Sequence, residues 1–302
     1  MKTSKIVAIV IAVVLIVAGA IISCVALAMN DFDLRKFSMM KYETKTNEVS
    51  DNFSNIKIVD AEYDVIIAKS NDGGCKVVSR DSDKIKHDAQ IEDDTLVVSR
   101  TDERKWYEHI GIFIGEKDLS VKVYLPEDSY EKLYALSVSG SVKVEAGFKF
   151  TEAEAQSTSG EVIFMSAADS LSLKSTSGDV DAKDFDVQSL KAVSVSGDIE
   201  IDNVNAESFS AKTTSGDIDL SSVVIDGDAS INTTSGDFEF SRCDAANVKI
   251  LTVSGDVRGS LLTDKRFTIS TVSGDVKLPE SVSDAGWCDI KTTSGDVKIA
   301  VE

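Results

Sequence analysis

Acidic side chains at a near-constant period are the first candidates for chemistry in this sequence. Asp179, Asp198, Asp217, Asp237, Asp256, Asp275 and Asp296 each follow a Ser-Gly pair; in the two earliest copies Ser141 and Glu161 hold the same place. Stacked carboxylates about 5 Å apart would repel by roughly 0.8 kcal/mol even at the dielectric of water. Cations could relieve that, as calcium does in the Gly-rich nonapeptide β-roll. That repeat needs two glycine-bearing turns where this one has a single Ser-Gly. The plainer reading is a turn carboxylate that bonds a nearby backbone N–H and otherwise faces water.

Other reactive side chains are few. The sequence has two histidines, His87 in the charged stretch Lys84–Asp88 and His109 after Trp106-Tyr107, neither with an obvious nucleophile as partner. A surface or capping role is expected for both. Cys75, Cys243 and Cys288 follow the N-terminal segment without C-x-x-C spacing, so they form neither a disulfide framework nor a zinc site and read as small buried apolar residues. Gly-rich phosphate loops, HExxH, GxSxG and SxxK motifs are all absent. No catalytic, cofactor-binding or metal-ligating residue is therefore assigned.

The elements that carry the carboxylates repeat as well. Ser-Gly occurs at residues 139, 159, 177, 196, 215, 235, 254, 273 and 294, with spacings of 18 to 21. Three residues after each Ser comes Val142, Val162, Val180, Ile199, Ile218, Phe238, Val257, Val276 or Val297. Apolar positions also recur at six before (Leu133 to Cys288), four before (Ala135 to Ile290) and five after (Val144 to Ile299), and two before is always Ser or Thr. This is period two on both sides of a turn, hence two short strands per copy with one face buried. Phe185, Val204, Val223, Cys243 and Leu262, about eight after the Ser, suggest a third inward side.

Two assemblies could bury these faces. Antiparallel hairpins tipped by Ser-Gly-Asp do not require copies of equal length. A parallel β-solenoid does, because each position stacks on its counterpart. The even spacing favours the solenoid: all-β, right-handed by the usual crossover rule, with about nine rungs of 18–21 residues over residues 133–302. Cys243 and Cys288 would then lie more than two rungs apart, too far for a disulfide. The last copy, ending at Glu302, looks truncated, and its edge is expected to be bare and open to end-to-end pairing.

Residues 52–132 read as a degenerate β cap. Ile56-x-Ile58 and Val65-x-Ile67 resemble a rung without Ser-Gly-Asp, and Val121-x-Val123-x-Leu125 is another strand. Trp106–Gly111 is an aromatic-rich break that reads as a capping loop or, failing that, a binding loop.

Ile6–Met29 carries no charge and is long enough to cross a hydrocarbon core of about 30 Å. Lys2 and Lys5 precede it and Asn30, Asp31 and Asp33 follow. The expectation is a cytoplasmic N-terminus over 1–5, a transmembrane helix over 6–29 and a juxtamembrane stalk over 30–51, with everything beyond outside the cell. Ala26-Leu27-Ala28 also has the form of a signal-peptidase site, and Ile21-Ile22-Ser23-Cys24 loosely that of a lipobox.

The net charge of −19 argues against a nucleic-acid partner, which needs a basic stripe. From Leu136 onward 28 acidic residues face 14 basic ones, so the repeats carry most of the charge.

The Ser/Thr-Ser-Gly-Asp-Val/Ile units resemble a bacterial β-strand-repeat family named for "putative adhesins", a domain of unknown function. Lys105-Trp106-Tyr107 and Val123-Tyr124-Leu125-Pro126 are similar to that family too. The resemblance covers residues 50–302 and implies adhesion at the cell surface, without naming a ligand or site residue. The expected function is a membrane-anchored, non-catalytic extracellular solenoid with cell-envelope or protein partners. Envelope-stress sensing through a membrane partner is the alternative, with a carbohydrate-active enzyme a further one, since some β-helices cleave polysaccharides.

Overall fold

The computed structural model describes residues 3–29, 41–106, 108 and 119–302. It opens with one helix, α1 (Thr3–Met29), whose side chains are described for residues 11–25, 28 and 29. Counted over the described residues alone, no helix is long and apolar enough to cross a membrane.

Among the described residues every further named element is a strand. Seven strands precede the Ser-Gly copies: β1 (Glu43–Val49), β2 (Asn55–Asp60), β3 (Asp64–Lys69), β4 (Cys75–Asp81), β5 (Ile85–Glu92), β6 (Thr95–Asp102) and β7 (Ser120–Leu125). Copies one and two supply β8 (Ser129–Ser137), β9 (Val142–Val144), β10 (Lys149–Ser157) and β11 (Val162–Phe164). Then come β12 (Ala167–Lys174), β13 (Val180–Val193), β14 (Ile199–Lys212), β15 (Ile218–Ser221), β16 (Val224–Asn232) and β17 (Phe238–Leu251). The last five are β18 (Val257–Leu261), β19 (Arg266–Ser270), β20 (Val276–Lys277), β21 (Trp287–Lys291) and β22 (Val297–Val301).

The expected parallel β-solenoid is present. Equivalent residues of successive copies pair in register: Val180, Ile199, Ile218, Phe238 and Val257 form one column, and Leu171, Leu190, Phe209, Ala229 and Val248 another. Alternation buries these columns almost completely, with Ile199 and Ile218 both fully enclosed. Neighbouring layers thus share one apolar core that no copy could build alone.

The third side is also present, with one change. Phe185, Val204, Val223 and Cys243 are buried, but in the next layer Leu261 is enclosed and Leu262 is 42 % exposed. The pairing of β17 with β18 slips between Phe240 and Cys243, so Leu261 takes the inward place expected of Leu262.

Layer order departs from sequence order at both ends of the stack. β21 pairs with β17 on one side and β19 on the other; β22 pairs with β18 and β20. Copy nine therefore lies between copies seven and eight, and copy eight forms the outer layer. The bare edge expected on the last copy belongs instead to copy eight. Its Phe267 and Ile269 are only partly covered and its Val276 is 45 % exposed, because no described strand stacks above them.

The other end mirrors this. β2 and β3 are the degenerate rung, with Ile56 on Leu133, Ile58 on Ala135, Val65 on Val142 and Ile67 on Val144. On their far side lie β6 and β7, which come later in the chain. Antiparallel β5 covers β6, and β4 joins β7 to β1. This antiparallel cap closes the unpaired edge that a parallel stack would otherwise present.

Candidate functional site

The Ser-Gly-Asp corner explains itself position by position. A Cβ at Gly216 would stand 2.0 Å from the Gly197 carbonyl oxygen, and one at Gly236 only 1.8 Å from that of Gly216. Glycine is there for close backbone approach between layers. Among the nine corner glycines only Gly274, in the outer layer, has a φ in the left-handed region, at 150°.

The Ser or Thr two residues before the corner Ser is a buried bridge. Ser157 Oγ donates to the Gly140 carbonyl at 2.8 Å and accepts the Gly160 N–H at 2.9 Å. Ser175, Ser194 and Thr213 repeat both bonds on their own layers. Buried polar groups need such partners, which is why this position stays Ser or Thr amid apolar neighbours.

The acidic column is a third ladder. The Asp198 N–H donates to Asp179 Oδ1 at 2.8 Å, Asp217 to Asp198 at 2.8 Å, Asp237 to Asp217 at 2.7 Å and Asp256 to Asp237 at 2.8 Å. Asp296 then donates to Asp256 at 2.7 Å and Asp275 to Asp296 at 2.8 Å, following the spatial order of the layers. One oxygen of each linking carboxylate is committed to the fold. Among the described residues no three His, Cys, Asp or Glu side chains are grouped to hold a metal ion.

Beside this column runs a second acidic one on the same face, Asp181, Glu200, Asp219 and Glu239, in parallel register. Burial, with Glu161 close by, pushes the Asp181 carboxyl up to about 6. Burial and then Glu239 and Asp217 raise that of Asp219. Arg258 ends the strip, with Nη1 3.6 Å from Asp237 and 3.8 Å from Glu239 and an ion pair to Asp256.

At the cap, the degenerate corner departs from the repeat in an informative way. Ser137 Oγ donates to the Tyr63 carbonyl at 2.8 Å, as Ser157 does to Gly140, so Tyr63 occupies a glycine place. Asp64 Oδ1 accepts the Ser141 N–H at 2.7 Å, so Asp64 occupies the aspartate place. Asp60 stands where Ser or Thr is usual, and its Oδ1 accepts the Tyr63 N–H at 2.6 Å.

Its second oxygen reaches His87, where Asp60 Oδ2 lies 2.8 Å from Nε2. His87 Nδ1 meets Asp81 Oδ1 at 2.6 Å, and Asp81 Oδ2 accepts the His87 N–H at 2.9 Å. With a carboxylate at each ring nitrogen, only the doubly protonated ring donates to both. Tyr63 packs on the imidazole at 4.8 Å, Arg100 lies over the Tyr63 ring, and Lys45 of β1 donates to the His87 carbonyl at 2.8 Å. Burial pushes the Asp60 carboxyl up, but His87 and the Tyr63 and Glu62 amides outweigh it and hold it below its usual value.

The surface place expected for His87 is thus corrected. It is 1 % exposed, because alternation along β5 points it inward with Ile85. Its capping role is real: the cluster ties β1, β4 and β5 to the first rung. His109, Tyr107 and Ile110–Gly111 lie outside the described residues. Trp106 is 76 % exposed, and Glu108 forms an ion pair with Lys84.

The cysteines are free and, apart from Cys24, buried. The layer order places Cys288 directly on Val248, so with Cys243 it lines a small apolar cavity of about 20 Å³. They are nearer than sequence order implied, yet unbonded. A wide open groove of about 910 Å³ is lined by residues of the cap and of the first two copies, Phe53, Asp72, Lys76, Glu127 and Tyr130 among them.

A sequence profile described as Toastrack DUF4097 matches residues 53–261 and 230–301. The chain belongs to the Toastrack DUF4097 family. Curated proteins give no match. Solved structures do, at low identity. One is a "putative adhesin" from Parabacteroides distasonis, 17 % identical, covering 87 % of this Toastrack chain and 98 % of its own, with a TM-score of 0.56. A second, from Parabacteroides merdae, is 15 % identical, with 87 % and 98 % covered and a TM-score of 0.52. A third, from Bacteroides fragilis, is 18 % identical, with 86 % and 97 % covered and a TM-score of 0.50. At these identities the likeness is one of fold.

Proposed function

We propose that this Toastrack chain is a membrane-anchored, non-catalytic extracellular rod that serves adhesion or another contact with the cell envelope. One observation carries the non-catalytic reading. The Ser or Thr two residues before the corner and one oxygen of the corner Asp are spent on bonds between layers. The His87 ring and Asp60 are buried, and of the cluster only Asp81 and Lys45 reach an open groove at the surface of the cap. The fold-mates' names point the same way for those proteins. For the anchor, the 27 helical residues of α1 would reach about 40 Å, with Lys2 and Lys5 on the inner side and the acidic rod outside.

The partners fitting this reading are envelope polymers or surface proteins, not nucleic acid. The test is expression of the full chain in a bacterial host. External protease should remove the solenoid from intact cells while leaving α1 behind, and the cells should gain attachment to envelope material or to one another. A solenoid protected from external protease would overturn the placement. A surface-displayed rod that changes no attachment would overturn adhesion.

A further inference from the structure

Copy nine fills a place that copy eight, its neighbour in sequence, is nearly identical in composition to fill. Thr271–Lys277 and Thr292–Lys298 differ only at Val272 and Thr293. Copy nine is nevertheless the one held on both sides. Towards copy seven, the Thr252 N–H donates to the Lys291 carbonyl at 2.9 Å and the Val257 N–H to that of Asp296 at 2.8 Å. Towards copy eight, Thr292 donates to Ser270 at 3.0 Å and Val297 to Asp275 at 2.9 Å. Without residues 287–301, a slot with an unpaired strand edge on each wall would remain.

The connection into this slot is long and lightly held. Residues 278–286 join Lys277 to Trp287, and only residues 240–246 separate the equivalent Glu239 and Asn247 one layer pair earlier. Most of the connection is exposed, with Val282 donating to the Lys265 carbonyl at 3.1 Å and Ser281 Oγ accepting the Phe267 N–H at 3.1 Å. Exposed apolar side chains gather on the same outer layer and its connections: Val272 at 84 %, Val276 at 45 %, Leu262 at 42 % and Val282 at 38 %.

We propose that residues 287–301 exchange between two copies of this chain, each copy's ninth layer filling the slot between layers seven and eight of the other. The product is a closed two-fold dimer joined at the copy-eight ends. The occupant makes in trans the hydrogen bonds it makes in cis, and the crossing connections cover Val272 and Val276. A second copy is the fitting occupant because the slot's wall is already matched to this segment: Val248 and Ile250 pair with Cys288 and Ile290, Val257 with Val297, and Asp256 Oδ1 accepts the Asp296 N–H.

Lys249 and Asp289 are direct partners across the slot, and Cα atoms of adjacent strands lie within disulfide range. The full chain in detergent is prepared as three variants: Lys249→Cys, Asp289→Cys, and both together. Chains carrying one substitution each are mixed, unfolded, refolded at high concentration and oxidised. Exchange predicts a disulfide between the two chains, seen as a band of twice the chain mass joining residue 249 of one to 289 of the other by peptide mapping. The double variant refolded at high dilution should form the same bond within one chain. A mixture giving no 249–289 bond between chains overturns the proposal, even if a dimer forms by plain edge pairing. A double variant that forms no bond overturns it too, since the slot is then not occupied as described.

Discussion

Gly216→Ala tests the close approach of layers on which the stack depends. The new Cβ would sit 2.0 Å from the Gly197 oxygen, and ordinary contact begins near 3.4 Å. The layers must therefore part locally by more than an ångström. Among the bonds that cross that gap at the corner, those nearest Gly216 are Thr213 Oγ1 to the Gly197 carbonyl at 3.2 Å, Ser215 N–H to the Val195 carbonyl at 3.0 Å, and Asp217 N–H to Asp198 Oδ1 at 2.8 Å. At about 1 kcal/mol net for each, their loss costs about 3 kcal/mol. Gly74→Ala is the control, because there the nearest atom to a new Cβ is the Asp72 carboxylate at 3.8 Å. Equilibrium urea unfolding of both variants, followed by far-ultraviolet circular dichroism, reads the difference. If Gly216→Ala falls within about 0.5 kcal/mol of the parent, the usual range for neutral surface changes, the close-approach account of the corner is wrong.

Thr213→Val should cost about 1–3 kcal/mol by stranding the Gly197 carbonyl and the Gly216 N–H. Thr292→Val should cost less, because Thr292 Oγ1 has no hydrogen-bond partner among the described residues; the same unfolding assay compares them. His87→Ala should destabilise the cap by about 3–5 kcal/mol, the range for breaking a buried charge pair, with hydrogen exchange rising first in β1, β4 and β5. Because the Asp60 carboxyl is held below its ordinary 3.8, its stabilisation is present above that pH and is lost as pH falls through the lower folded value; His87→Ala should flatten this acid limb of stability. Asp181 acts in the opposite sense. Its carboxyl is raised to about 6, so its contribution falls as pH rises from about 4 to 6, and Asp181→Asn should remove that decline from a stability–pH profile.

The solenoid was legible because parallel in-register stacking demands the same residue type at the same place in every copy. The buried columns through Ile199 and Leu190 could be read directly from the spacing. Layer order was not legible, since columns state what each layer contains and not which layer lies beside it. Copies eight and nine share their corner residues, so either could follow copy seven by pattern alone. The His87 cluster was hidden for a different reason. Asp60 precedes Val65 by five residues, as Ser137 precedes Val142, and that offset was the available signal. It was masked because an acid replaces the hydroxyl and a tyrosine the glycine. The slip from Leu262 to Leu261 follows from a one-residue pairing irregularity that period counting cannot place.

The first layer in the sequence, the degenerate β2 and β3 rung, and the last, copy nine, are each the second parallel layer from an end of the stack, shut in by a layer made elsewhere in the chain. A rod with such locks cannot shed its layers in the order of the sequence from either extremity. The covering layer must lift before the covered one can go. Extra copies can be accommodated only in the middle, each adding about 4.8 Å, while the two closures keep their form. Length and closure are therefore independent properties of this molecule.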